Sequence, residues 1–149
     1  MDESGINNNE ARPRGYAFKG HRLFSTRPGH RTERISIIGA LNQNKLLAPF
    51  VFNGTCTARV IEAWLEKILL PNLPSGKVIV MDNAPFHNSQ KIKALIENAG
   101  HKLLFLPPYS PDLNPIEHWW AKIKNAIRSA LQVFDHNLTI ATDFAFEIL

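Results

Sequence analysis

Residues 77–130 alternate two kinds of apolar pattern, and no other feature of the chain narrows its possible folds as much. "KVIVMD" at 77–82 is a short continuous apolar run, the pattern of a strand covered on both faces. Ile92, Leu95, Ile96 and Ala99 then recur at helical spacing, with Asn88 or Ser89 as cap and Gly100 as stop. "KLLFL" at 102–106 is a second buried strand, and Ile116, Trp120, Ile123, Ile127 and Ala130 form a second helical stripe. Strand, helix, strand, helix in succession implies parallel pairing through right-handed crossovers. The expected class is α/β, a mixed sheet with helices on its faces. In such sheets chemistry gathers at the carboxyl ends of the strands.

The flanking segments extend this order. Ile35 to Leu41 and Leu46 to Phe52 are β-like runs, and "NQNK" between them is a hairpin signal without the Asn-Gly that would strengthen it. Thr57 reads as the N-cap of a helix with the stripe Val60, Ile61, Trp64, Leu65, Ile68 and Leu69, stopped by Pro71. A last short helix is expected over His136 to Ile148. Residues 7–34 read as loops around one or two short strands. They carry Arg12, Arg14, Lys19, Arg22, Arg27, Arg31 and Arg34.

A length of 149 residues suits one domain with a sizeable core, and 44% hydrophobic residues are too many for a disordered chain. The net charge of +4 permits a polyanionic partner without requiring one. The single cysteine, Cys56, excludes an internal disulfide framework and a Cys-cluster zinc site. It reads as a core or loop residue rather than a nucleophile. No run approaches the roughly 20 apolar residues of a membrane span, and the start has no charged-then-apolar signal segment. A soluble, reducing compartment, the cytoplasm, is expected.

Three acids stand where chemistry is expected. Asp82 ends the run "VIVM", which points its carboxylate into the strand-end crevice; a turn or helix cap is the bland alternative. Glu117 follows Asn114 and Pro115 at a helix start, after four prolines in "LPPYSPDLNPIE" at 106–117. With Asn114 as N-cap and Pro115 as N1, Glu117 falls at N3, so a capping box accounts for it equally well. Asp2 follows only Met1. Carboxylates brought together repel one another unless a divalent cation lies between them. Mg²⁺ and Mn²⁺ take oxygen ligands, and a pair of such ions suits phosphodiester chemistry. Asp112, in Ser-Pro-Asp, reads as a turn residue.

"MDESG" at 1–5, "VIVMDNAPFH" at 78–87 and "LPPYSPDLNPIEHWWAKIK" at 106–124 resemble the DDE transposases of the mariner superfamily, most closely the bacterial insertion-sequence branch called IS-six-thirty. "GHR" at 20–22 and "LLAPFVFNGT" at 46–55 are similar to that branch too, so the resemblance covers nearly the whole chain. Thirty-four residues separate Asp82 from Glu117, the family's spacing. The resemblance implies an RNase H-like fold, with residues 1–149 as its catalytic domain. It implies Asp2, Asp82 and Glu117 as catalytic metal ligands for Mg²⁺ or Mn²⁺, two ions in number. It implies cut-and-paste transposition: hydrolysis at terminal inverted repeats, then attack of a 3′-hydroxyl on double-stranded target DNA, at a TA dinucleotide, by a homodimer.

Members of that family carry an apolar strand before the first Asp, and helix-turn-helix modules before that. Residues 1–149 include neither, so the sheet is expected to lack most of its first, central strand. The isolated chain is expected to be inactive or weak on terminal-repeat DNA. Two other readings stay open: a different RNase H-like DNA endonuclease, and an inactive or regulatory transposase fragment.

Further residues divide between roles. Asn83, His87 and Asn114 are candidates to orient a carboxylate or a phosphate, or else to bond loop backbone and cap turns. Trp120 lies on the apolar stripe and reads as core, whereas Trp119 could stack on bases. Lys124 and Arg128 follow Glu117 near one helix face and are candidate DNA-backbone contacts, as are Arg12, Arg14, Lys19 and Arg22. A solvated charged face explains these basic residues equally well.

Overall fold

The computed structural model describes residues 1–9, 17–22, 33–85, 87–108 and 110–149. Strand β1 (Asp2–Asn7) leads to the hairpin β2 (Arg34–Asn42) and β3 (Lys45–Asn53). Helix α1 (Ala58–Trp64), strand β4 (Val78–Met81), helix α2 (Gln90–Asn98), strand β5 (Lys102–Phe105) and helices α3 (Ile116–Val133) and α4 (Leu138–Glu147) follow. The α/β alternation inferred from residues 77–130 is therefore present. β4 and β5 pair in parallel, with Met81 opposite Phe105.

The mixed sheet is realised as two hydrogen-bonded pieces. β1, β2 and β3 form an antiparallel sheet in that order, and β4 and β5 form a second, parallel one. The Met1 nitrogen donates to Val80 O at 2.7 Å and joins them. The sequence pattern assigns no strand to residues 2–7, because Ile6 is the only large aliphatic side chain there. The structure places all six residues of β1 against β2, from Asp2–Gly39 to Asn7–Arg34. Pairing along an available strand edge overrides the weak local propensity of "DESGIN".

Local chemistry explains most element ends. Gln43 and Asn44 both adopt positive φ, 48° and 64°, so "NQNK" closes a two-residue hairpin without glycine. Ser89 caps α2 by accepting the Ile92 N–H at 3.1 Å. Asn137 does the same for α4 through Ile140, so that helix starts slightly later than its apolar pattern suggests. Thr57 occupies the N-cap position of α1 without a side-chain bond. Beyond Trp64 the helix widens to π geometry over Leu65–Leu69 and tightens to a 3₁₀ turn over Leu70–Asn72, which contains Pro71.

Two apolar clusters sandwich the strands. Ile6, Ile35 and Ile37 pack against Trp120, Ile123 and Ile127 of α3 and Leu138 and Ala141 of α4. Ile38, Ile79 and Met81 pack against Ile61 and Trp64 of α1 and Ile92 and Ile96 of α2. Each buried Ile, Leu and Met among them contributes about 1.5–3 kcal/mol through burial. Among the described residues no helix is long and apolar enough to cross a membrane.

Candidate active site

The end of β4 and the start of α3 meet through the proline loop. Leu106 N–H donates to Met81 O at 2.8 Å, so the loop leaves β5 beside the residue that precedes Asp82. A 3₁₀ turn over Pro111–Leu113 and Pro115, at φ −64°, then deliver Ile116 as the first residue of α3. Glu117 follows in the first turn, its N–H bonded to Asn114 O at 3.1 Å. Prolines fix φ and disfavour helix in the residues before them, so the helix cannot fray backward.

One cavity of about 430 Å³ is lined by Asp2, Asp82 and Glu117. Asn83, Ala84, Pro85, Leu106, Pro107, Pro108, Ser110 and Asn114 also line it, and among the described residues no Lys or Arg does. The proline loop is therefore one wall of the cavity that holds the three acids. Among the described residues, no three His, Cys, Asp or Glu side chains close into a ready ligand set. The acids share a cavity rather than a coordination sphere.

Each acid is held differently. Asp2 is 4% exposed. Its Oδ1 accepts the Glu3 N–H at 2.8 Å, and its Oδ2 accepts from Asn114 Nδ2 and Trp120 Nε1, both at 3.2 Å. Burial pushes the Asp2 carboxyl up to about 7, with the charges of Glu3, Glu117 and Asp82 adding to the rise. Asp82 is half-exposed; its Oδ1 accepts from Ala84 N–H at 3.3 Å and from His87 Nδ1. Glu117 is exposed.

His87 is fully buried behind the cavity. Nδ1 meets Asp82, and Nε2 lies 3.0 Å from Glu3 Oε2. Burial alone would lower its pKa, but the Glu3 and Asp82 carboxylates outweigh that and raise it. When protonated, the ring donates to both acids.

The capping-box alternative for Glu117 is not realised. The N-cap position of α3 falls on Pro115, and no side chain caps the helix. The Asn114 amide is turned instead to Asp2, 112 residues away in sequence. Trp120 is core, as its stripe suggests, and is also a donor to Asp2, which periodicity cannot reveal. Gly39, opposite Asp2 in the β1–β2 pairing, makes room for it: a Cβ there would stand 3.2 Å from the indole ring and 3.0 Å from Leu46. Glu3 is a second functional candidate that no sequence pattern singles out.

Trp120→Phe keeps most of the packing and removes the N–H. We expect a loss of about 1.5–3 kcal/mol at pH 8, the range for a hydrogen bond to a charged group, and a smaller loss at pH 5, where Asp2 is protonated. Denaturant midpoints at the two pH values measure it. A pH-independent loss would assign Trp120 to packing alone.

The remaining candidates divide. Asn83 lines it, but Lys124 and Arg128 do not; both are half-buried on α3, and Arg128 Nη1 donates to Asn125 Oδ1 at 3.1 Å. Lys122 sits over the Trp119 ring, 5.3 Å from its centroid. Lys19 and Arg22 are exposed, and Arg12 and Arg14 lie outside the described residues. Asp112 is exposed in the 3₁₀ turn and off the cavity wall, as a turn residue should be. Burial, with the charges of Glu3 and Asp2, pushes the Cys56 thiol up to about 12, which disqualifies it as a nucleophile.

A family model described as "DDE superfamily endonuclease" matches residues 1–137. The chain belongs to the DDE superfamily endonucleases. It is 34% identical over 68 residues to the Tc1 transposase of Caenorhabditis elegans, a match covering 46% of this chain and 25% of that one. It is 41% identical over 85 residues to the Tcb2 transposase of Caenorhabditis briggsae, covering 51% and 31%. These matches therefore span less than a third of the relatives' own length. The fold is similar to that of the Mos1 strand transfer complex (TM-score 0.66, 23% identity, 84% of this chain and 39% of that one). It is also similar to the Mos1 paired-end complex with Mg (TM-score 0.67, 24% identity, 84% and 40%). The catalytic core of BIV integrase aligns more loosely, with TM-score 0.50 and 16% identity over 76% of this chain and 72% of that one. The DDE endonuclease fold here is thus RNase H-like. The curated relatives are nematode transposases, and both the mariner superfamily and its bacterial branch are finer than the family the chain is shown to belong to.

Proposed function

We propose that the chain is the catalytic domain of a transposase that cleaves DNA at its element's ends and transfers the freed 3′-hydroxyl into target DNA. The observation that carries this reading is the convergence of Asp2, Asp82 and Glu117 on one cavity that no Lys or Arg among the described residues lines. Three carboxylates, one of them pushed up to about 7 by burial and by its acidic neighbours, are a donor set for a hard divalent cation. Asp2, Asp82 and Glu117 would hold Mg²⁺ or Mn²⁺, in the two-ion arrangement implied by the family resemblance. When bound, such ions supply charge stabilisation for the attacking and leaving oxygens of a phosphodiester.

The chain's own groups supply position. Asn114 and Trp120 aim Asp2, the proline loop sets Glu117, and Asn83 stands on the cavity wall. The structural neighbours, a strand transfer complex and a paired-end complex with a transposon end among them, support DNA as partner, and double-stranded terminal inverted repeats are the form the motifs imply. A TA target, a homodimeric assembly, membership of the bacterial branch and action at the nucleoid in the cytoplasm belong to the same proposal. They rest on the motifs at 1–5, 78–87 and 106–124.

The test is strand cleavage of terminal-repeat DNA, with Mg²⁺ or Mn²⁺, by the chain fused to helix-turn-helix DNA-binding modules. Cleavage abolished by a chelator and restored by either ion is expected; chelator-resistant cleavage would refute the proposal.

Lys124 and Arg128, on the helix that Glu117 begins, are proposed to hold DNA backbone. Replacing both with Gln should reduce the slope of log affinity against log salt by about two, roughly 0.9 for each phosphate no longer neutralised. An unchanged slope would return them to the solvated face.

A further inference from the structure

Asp2 and Glu3 are neighbours on β1, and successive strand residues point to opposite faces of a sheet. Asp2 faces the cavity and α3, as its bonds to Asn114 and Trp120 require. Glu3 therefore cannot join it there. Its carboxylate instead meets the Nε2 of His87 at 3.0 Å, and the other nitrogen of that ring meets Asp82. The line Glu3–His87–Asp82 thus runs from β1, behind the cavity, to the acid at the end of β4.

Its middle member is fixed on every side. The His87 ring has no exposed surface. Its backbone N–H closes a turn onto Ala84 O at 2.9 Å, so the loop after Asp82 folds back to bring the ring under that carboxylate. The Asp82 Oδ1 is occupied by His87 and Ala84, whereas no bond to its Oδ2 is seen among the described residues. We propose that Glu3 is a positioning residue acting through His87: it holds the imidazole so that Asp82 keeps Oδ1 engaged and turns Oδ2 to the cavity, at a set place relative to Asp2. The inference rests on the reading of the cavity as a divalent-cation site.

Groups that orient a ligating carboxylate are worth about 10–100-fold in metal affinity. The experiment is Mn²⁺ affinity of the chain, by electron paramagnetic resonance, for wild type, Glu3→Ala, His87→Ala, the double variant and Glu3→Gln, with thermal midpoints recorded beside it. Glu3→Ala and His87→Ala are each expected to weaken Mn²⁺ by about 10–100-fold. The double variant should be no weaker than the worse single one, because the two act in series. Glu3→Gln retains an acceptor for Nε2 and should bind within about threefold of wild type. Additive losses, or lower midpoints with Mn²⁺ affinity unchanged, would overturn the proposal and leave Glu3 a structural residue. Should an Ala variant fail to fold, Glu3→Gln and a Glu3→Leu variant decide it: equal affinity in these two overturns it. Asp82→Asn and Glu117→Gln separate the two levels. If they weaken Mn²⁺ and Glu3→Ala does not, the positioning role fails and the cation site stands. If neither weakens it, or wild type binds none, both fail.

Discussion

In the chain fused to helix-turn-helix DNA-binding modules, Asp82→Asn and Glu117→Gln should each lower DNA strand cleavage by about 10³-fold or more while leaving affinity for the same DNA within a few fold. The size follows from what the carboxylates do. Stabilising the charge of a phosphodiester displacement is worth several kcal/mol, and about 4 kcal/mol is a thousandfold in rate. Neither change should unfold the chain. Asp82 is half-exposed and Glu117 exposed, so replacing either with its neutral isostere removes charge from a cavity that has an excess of it. Gel-based cleavage and filter binding on one terminal-repeat substrate separate the two effects. Retained cleavage in either variant would remove that residue from the catalytic set. Loss of binding in step with cleavage would instead mean that the acids shape the DNA surface. The Glu117 variant carries extra weight because α3 has no side-chain cap, so a stability loss through helix capping is not expected from it.

What can be read in the sequence is local. Asp82 closes a continuous apolar run, and Glu117 follows a proline cluster that can only end in a helix start, so each sits where its neighbours put it. The helices of the second half are legible for the same reason, since Ile92 and Ile96, or Trp120, Ile123 and Ile127, declare a buried face by spacing alone. The rest depends on partners far away in the chain. β1 has one large aliphatic residue, Ile6, and exists because β2 offers it an edge. The bond from Trp120 to Asp2 joins residues 118 positions apart, and that from His87 to Glu3 joins residues 84 apart. A stripe shows that an indole faces inward but not which polar group lies at its far end. The one available signal is that Gly39 interrupts an otherwise bulky strand, "ISIIGAL", where a large ring must approach. The Gln43-Asn44 turn gives only a weak signal because its left-handed conformations usually call for glycine, and here the hairpin's pairing imposes them.

The metal-free chain should lose stability as pH rises from about 4 to beyond 7, and Asp2 should be the largest single cause. Its carboxyl is pushed from 3.8 to about 7 in the folded chain, so across that window the folded state keeps a proton that the unfolded state has released. Stability therefore falls with rising pH, by about 4 kcal/mol once Asp2 is fully ionised. His87 acts in the same direction: its raised pKa means that the stability of its pairing with Glu3 and Asp82 is lost as pH passes the folded value. The Met1 amine, lowered by burial, works the opposite way and recovers some stability as pH approaches 8. Comparing wild type with Asp2→Asn isolates the first contribution. The Asn side chain cannot satisfy both the Glu3 N–H and the donors from Asn114 and Trp120, so it costs about 1–3 kcal/mol, but at every pH alike. The expected result is a melting temperature that falls between pH 5 and pH 8 in wild type and much less in Asp2→Asn. Mn²⁺ added at pH 8 should restore the wild type, because a cation among the acids replaces the lost proton, and should restore Asp2→Asn far less. Parallel pH profiles for the two proteins would show that Asp2 is ionised throughout, and that the three carboxylates tolerate one another without a cation.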